Sequence, residues 1–215
     1  MPYVPLNDSD ASLLVKSLID DGLLVDESSA KGRLLKASAE LFKSKGYDKT
    51  TVRDIANQVG IQSGSIFHHY ASKQAILCAV MEQAIILNMA RLRLALSLNE
   101  TLKEQLHALI LSELQAIILD NGIAMAVLVY EWRSLENENK QKILELRDEY
   151  EQIWLDILTQ AHHQQLINTT PMVLRKLLTG AISWTTNWYK PHGELSIDEL
   201  AEMTLALAIN NNLKN

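Results

Sequence analysis

The chain has 215 residues, 47% of them hydrophobic, and a net charge of −6, enough for a sizeable core in one large domain or two small ones. Eight glycines and four prolines are few for this length, which disfavours many short strands and favours long helices, so the expected class is all-α. A single cysteine, Cys78, in the apolar run AILCAVM, excludes an internal disulfide framework and a cysteine-rich zinc site.

The opening MPYVPLNDSD lacks a basic stretch followed by an apolar one. No uninterrupted apolar run reaches the ~18 residues of a membrane span, so a cytoplasmic location without membrane contact is expected. An acidic chain is a poor nucleic-acid binder on average, but the charge is uneven. Residues 29–75 hold eight cations against three acids, a local +5, whereas residues 1–28 carry −5 and residues 76–215 carry −6. Phosphate affinity follows the local field, so this division suits a basic reading module on an acidic body.

In chain order, residues 9–21 predict a short amphipathic helix stopped by Gly22, then a linker to Ser28 or Ser29. Residues 30–45 repeat apolar positions at Leu34, Leu35, Ala37, Ala39, Leu41 and Phe42, a helical face, with Gly46 as its stop. Residues 50–73 read TTVRDIANQVGIQSGSIFHHYASK. Two short helices fit, joined at Val59-Gly60-Ile61, with Thr50 or Thr51 capping the first. Ile55, Ala56, Val59, Ile61, Ile66 and Tyr70 turn inward, and Gln62, Ser63, Ser65, Phe67, His68 and His69 turn outward. This is a helix-turn-helix, whose second helix enters the major groove.

Ser72 opens a long apolar helix to about Leu96. Thr101 to Glu104 is a capping box opening a helix to about Asp120. After Asn121-Gly122 a helix runs to about Ser134, and a charged one spans about Glu138 to His162. Thr170-Pro171 starts a helix to about Tyr189, closed by Pro191 and Gly193. Ser196 to Glu199 is a second capping box, opening the last helix to about Asn211.

The segment around the helix-turn-helix resembles the DNA-binding region of the TetR family of bacterial repressors. The resemblance rests on Thr51, Arg53-Asp54-Ile55-Ala56, Gly60, Ser63, Gly64-Ser65-Ile66-Phe67, His69, Tyr70, Ser72 and Lys73, with Ala39-Glu40-Leu41-Phe42 and Gly46-Tyr47 before them. It implies a DNA-binding set of Thr51, Arg53, Gln62, Ser63, Gly64, Ser65, Phe67, His68, His69, Tyr70 and Lys73, with Thr51 and Lys73 on phosphates. Phe67 stands where the family usually has Tyr, so the phosphate-contacting hydroxyl is missing there.

The resemblance also implies an organisation of N-terminal extension (1–28), three-helix DNA-binding domain (29–74) and helical ligand-binding and dimerisation domain (75–215). The last two helices form the expected homodimer face through Gly180, Ala181, Trp184, Trp188, Leu205, Ala206 and Ile209. Ligand-pocket candidates pair apolar bodies with polar tips: Met89, His107, Met125, Tyr130, Trp132, Arg133, Arg147, Tyr150 and Trp154. The segment Trp188-Tyr189-Lys190-Pro191-His192-Gly193-Glu194-Leu195-Ser196 is similar to one in TetR-like regulators of fatty-acid or steroid degradation, which implies a small apolar, lipid-like or acyl-coenzyme A effector.

No Gly-rich phosphate loop, metal-ligand spacing or nucleophile motif stands in the chain, so neither an enzyme nor a cofactor is expected. His162 and His163 point about 100° apart on a helix and make a poor metal pair. The reading that competes with an effector-responsive repressor is an architectural DNA-binding or protein-interaction helical dimer.

Overall fold

The computed structural model describes residues 4, 6–119, 122–191 and 193–209, and among these every regular element is a helix. They are α1 (Asp8–Asp20), α2 (Ala30–Lys45), α3 (Val52–Val59), α4 (Ser63–Ile66), α5 (Lys73–Ser97), α6 (Leu102–Ile118), α7 (Gly122–Tyr130), α8 (Asn137–His163), α9 (Pro171–Trp184) and α10 (Ile197–Ala208). Single 3₁₀ turns at Trp132–Ser134 and Thr185–Asn187 follow α7 and α9. The expected helix to Ser134 therefore breaks after Tyr130, and the one to Tyr189 tightens after Trp184.

The residues cluster into two compact units. The first, residues 12–87 and 121–148, carries the helix-turn-helix. It takes in more than residues 29–74: α7 packs on α2, and the start of α8 belongs here too. Gly32 on α2 lets the loop before it come close. A Cβ there would run into the Asp26 carbonyl oxygen, so any side chain displaces that loop. The linker after α1 is also held, because Gln83 accepts from the Val25 N–H at 2.6 Å and donates to the Leu23 carbonyl at 3.1 Å.

The second unit holds residues 1–11, 88–120 and 149–215. Its core joins Leu106, Leu109, Ile110 and Leu114 of α6, Trp154, Ile157 and Leu158 of α8, Leu174, Leu178 and Ile182 of α9, and Leu200, Ala201 and Leu205 of α10. The capping boxes form as read: Glu104 N–H donates to Thr101 Oγ1 at 3.2 Å, and Glu199 N–H to Ser196 Oγ at 3.2 Å. Residue 4 is tied down by Asn99, whose side chain accepts from the Val4 N–H at 3.0 Å and donates to its carbonyl at 3.2 Å.

By length and composition α5 could cross a bilayer, though interspersed polar residues hide this from a search for uninterrupted apolar runs. More than half of its apolar window is buried inside the molecule, as befits a central core helix.

Candidate nucleic-acid interface and sensor core

The helix-turn-helix is built from local hydrogen bonds. Thr51, not Thr50, caps α3: its Oγ1 accepts from Asp54 N–H at 3.1 Å, and the Asp54 carboxylate accepts from the Thr51 N–H at 2.8 Å. These bonds hold the Asp54 carboxyl below the usual range. Thr50 is buried instead, donating to the Gly46 carbonyl at 2.8 Å and fixing the loop before α3. Gly60 closes α3 at φ +76°, the left-handed region glycine enters without penalty, and Ile61 N–H reaches back to the Ala56 carbonyl at 3.0 Å.

The reading helix is shorter than its sequence pattern implies. Only Ser63–Ile66 is α-helical, and turns continue to His69. Ile66 is fully buried and anchors it. Arg53, Gln62, Gly64, Phe67, His68 and His69 are exposed, Phe67 to 55%, while Ser63 and Ser65 are half-buried. Thr51 is exposed as well.

Two expected contacts stand differently. Tyr70 is a core residue: burial pushes its hydroxyl far above the ordinary value, and Lys31 Nζ lies 5.3 Å above its ring. Its inclusion among DNA-reading residues is therefore corrected. Lys73 is anchored, its Nζ donating to the carbonyls of Tyr47 at 2.9 Å and Thr50 at 2.8 Å while lying 4.0 Å from the Tyr47 ring centre. With two of three protons committed, its first role is to bind the start of α5 to the loop before α3.

The nine pocket candidates separate between the two units. Met125, Tyr130, Trp132, Arg133 and Arg147 lie in the first, where Tyr130, Arg133 and Arg147 are exposed. Met89, His107, Tyr150 and Trp154 lie in the second. Burial pushes the His107 imidazole down, partly offset by Glu202 and Asp198.

Tyr150 and Trp154 belong to a buried ion cluster whose centre was not foreseen. Arg175 of α9, 1% exposed, donates through Nη1 to Glu113 Oε2 of α6 at 3.0 Å. Its Nε and Nη2 fork onto the two oxygens of Glu151 of α8, each at 3.0 Å. Tyr150 hydroxyl donates to Glu113 Oε2 at 3.2 Å, and the guanidinium lies 4.3 Å from the Trp154 ring centre.

Two carboxylates thus share one guanidinium. Burial raises the Glu113 carboxyl, against the pull of Arg175. Burial opposes the charge of Arg175, but Glu113 and Glu151 outweigh it and its affinity for the proton rises. The signal available in sequence was a charge interrupting an apolar stripe: Glu113 within LILSELQAI and Arg175 within MVLRKLL.

On α9 and its following turn, Val173, Leu177, Ala181, Trp184 and Trp188 are exposed at intervals of three or four residues, which places them on one face, and Gly180 beside them is exposed too. On α10, Met203, Ala206 and Leu207 are exposed, Leu207 to 89%. Leu205 and Ile209, expected on this surface, instead turn toward the core: Leu205 is buried, and Ile209 packs against the same cluster.

Residues 34–80 match the family model described as bacterial regulatory proteins, tetR family, and residues 99–211 match the one described as Tetracyclin repressor-like, C-terminal domain. The chain is 27% identical to the HTH-type transcriptional repressor KstR2 of Mycobacterium tuberculosis, over 85% of this chain and 92% of that one. Among solved structures, superantigen pfit is similar with a TM-score of 0.84 and 46% identity, covering 94% of this chain and all of that one. AibR, solved with isovaleryl coenzyme A and operator DNA, shares the fold at a TM-score of 0.76 and 21% identity, over 84% and 98% of the two chains. The chain belongs to the TetR family of bacterial regulatory proteins and is a DNA-binding transcription regulator, not an enzyme.

Proposed function

We propose that this chain is a cytoplasmic homodimeric repressor that leaves a palindromic operator when an acyl-coenzyme A binds. The observation that carries the reading is the capped helix-turn-helix with its exposed row of Arg53, Gln62, Phe67, His68 and His69 on a locally basic segment. Ser63, Ser65 and His68 contact base edges or neighbouring phosphates. Gly64 and His69 lie at the same surface, Thr51 and Arg53 contact phosphates, and the one outward proton of Lys73 adds a further phosphate contact. Phe67 offers an apolar face to a thymine methyl.

One four-residue helix buries too little for tight sequence-specific binding, so two copies reading two half-sites supply the rest. The apolar stripe of Leu177, Ala181, Trp184 and Leu207 fits a second copy of itself, because a two-fold interface is self-complementary. The effector class is supported by AibR, with its bound isovaleryl coenzyme A, and by the steroid-linked KstR2.

The test is an electrophoretic mobility shift with DNA upstream of the gene and its neighbours, titrated with acyl-coenzyme A thioesters of increasing chain length. Retarded DNA released by one thioester supports the proposal. Retardation that no thioester reverses points to an architectural binder. A second reading follows from the 46% identity to superantigen pfit. Under it the apolar stripe on α9 and α10 docks another protein, and light scattering would then find a monomer with no DNA bound.

A further inference from the structure

Trp132 opens the 3₁₀ turn between α7 and α8. Lys140 Nζ lies 5.6 Å and the Arg147 guanidinium 5.1 Å from its ring centre. With residues about 100° apart around a helix, Lys140, Leu144 and Arg147 fall within about 60° of one another on α8. Glu138, Glu145 and Glu149 fall about 140–180° away from Lys140, on the opposite side. Leu144, Arg147, Arg133 and Tyr130 are all exposed, Tyr130 to 71%.

Two nearby acids, Glu131 and Glu82, are turned to other partners. Glu131 accepts from the Tyr47 N–H at 3.1 Å and from Ser134 Oγ at 3.1 Å. Glu136 is exposed just before α8 and makes no ion pair among the described residues. Glu82 pairs with Lys142 at 2.9 Å. Among the described residues, Arg133, Lys140 and Arg147 make no ion pair, unlike Lys142 beside them. The result is a pair of cations seated on an indole, with Arg133 next to that indole in sequence and none of the three in an ion pair among the described residues.

We infer that Lys140, Arg147 and Arg133, organised around Trp132, bind the phosphate groups of the nucleotide end of the effector. This deepens the proposed acyl-coenzyme A reading and rests on it. An indole that holds a guanidinium by cation–π contact leaves the outward N–H groups free for phosphate oxygens. The same turn is tied to the DNA-reading element. Glu131 holds the Tyr47 amide, and Gln74, at the start of α5, donates to the Ser134 carbonyl at 2.6 Å and accepts from the Glu136 N–H at 3.1 Å. An anion drawing Trp132 and α8 together acts on both attachments, which gives the effector differential contacts with the DNA-bound and released states.

The shared chemistry is a phosphate, and its other source is the operator backbone. The experiment measures free coenzyme A binding by isothermal titration calorimetry and operator binding by fluorescence anisotropy, for the wild-type chain and the surface variant K140Q/R147Q. The expected result is at least tenfold weaker coenzyme A binding in the variant, at least tenfold more acyl-coenzyme A needed for operator release, and operator affinity of the ligand-free protein within twofold of wild type. Equal coenzyme A binding by both proteins overturns the inference and leaves the effector reading standing. A loss confined to operator affinity overturns it in favour of a DNA-backbone contact. A wild-type chain that binds no coenzyme A also overturns it, and operator release by acyl-coenzyme A then decides the effector reading separately.

Discussion

Arg175→Met and Glu113→Gln should have very different consequences although the two side chains touch. Removing the guanidinium leaves Glu113, 4% exposed, and Glu151 without their cation. Breaking a buried pair from one side costs about 3–5 kcal/mol, because the remaining charge stays desolvated. For a chain of this length that is a fall of roughly 6–20 °C in Tm. Glu113→Gln keeps an acceptor for Arg175 and leaves the two-pronged Glu151 pair intact, so its cost should stay within about 1 kcal/mol at neutral pH.

Their pH dependence should differ as well. The folded-state Glu113 carboxyl is raised by burial, so the folded chain holds a proton that the unfolded chain releases near pH ~4.3. The associated stability is complete below that value and declines as pH rises through the folded-state value. Arg175→Met removes the main opposition to this rise and leaves only the Tyr150 hydroxyl against it, so its deficit should be smaller at pH 5 than at pH 8, whereas Glu113→Gln should flatten the slope. Urea unfolding at fixed protomer concentration, from pH 5 to 8, measures both. A deficit below about 1 kcal/mol for Arg175→Met would refute the reasoning, as would pH slopes identical in all three proteins.

Gly60→Ala forces a Cβ into the left-handed region and should cost about 1–2 kcal/mol, with weakened operator binding, read by urea unfolding and anisotropy. Thr51→Ala removes the α3 cap and should cost about 1 kcal/mol, and operator affinity should fall further if Thr51 also touches a phosphate. Leu207→Asp places a charge on the most exposed apolar side chain of α10 and should turn the dimer into a monomer by light scattering, with helix content by circular dichroism unchanged. Lys73→Gln should lower stability as well as operator affinity, because its ammonium holds two carbonyls; a loss of DNA binding alone would contradict the anchoring role.

Local signals were legible because they depend on neighbours in the chain. Capping boxes at Thr101 and Ser196, the stop at Gly60 and the apolar face of α2 all follow from residues within four positions of each other, whereas the choice of Thr51 over Thr50 as the α3 cap came from the structure. The helix-turn-helix was readable for the same reason, since its geometry is set by a cap, a glycine and a few buried aliphatics. The helix-stop and helix-start segment ending at Ser196 was equally local.

What the tertiary structure decided is where the polar groups of distant helices meet. Glu113, Glu151 and Arg175 are separated by 24 residues or more, and only the packing of the second unit makes one buried cluster of them. The family resemblance places Tyr70 and Lys73 among the DNA contacts, yet the core claims Tyr70 and two carbonyls near α3 hold Lys73. The split between Leu205, turned inward, and Leu207, turned out, depends on how α10 rolls against α6. A stripe of apolar residues cannot specify that rotation by itself. The sequence alone therefore determined that the chain is helical and reads DNA, while folding determined which of its charges are buried partners and which stay exposed.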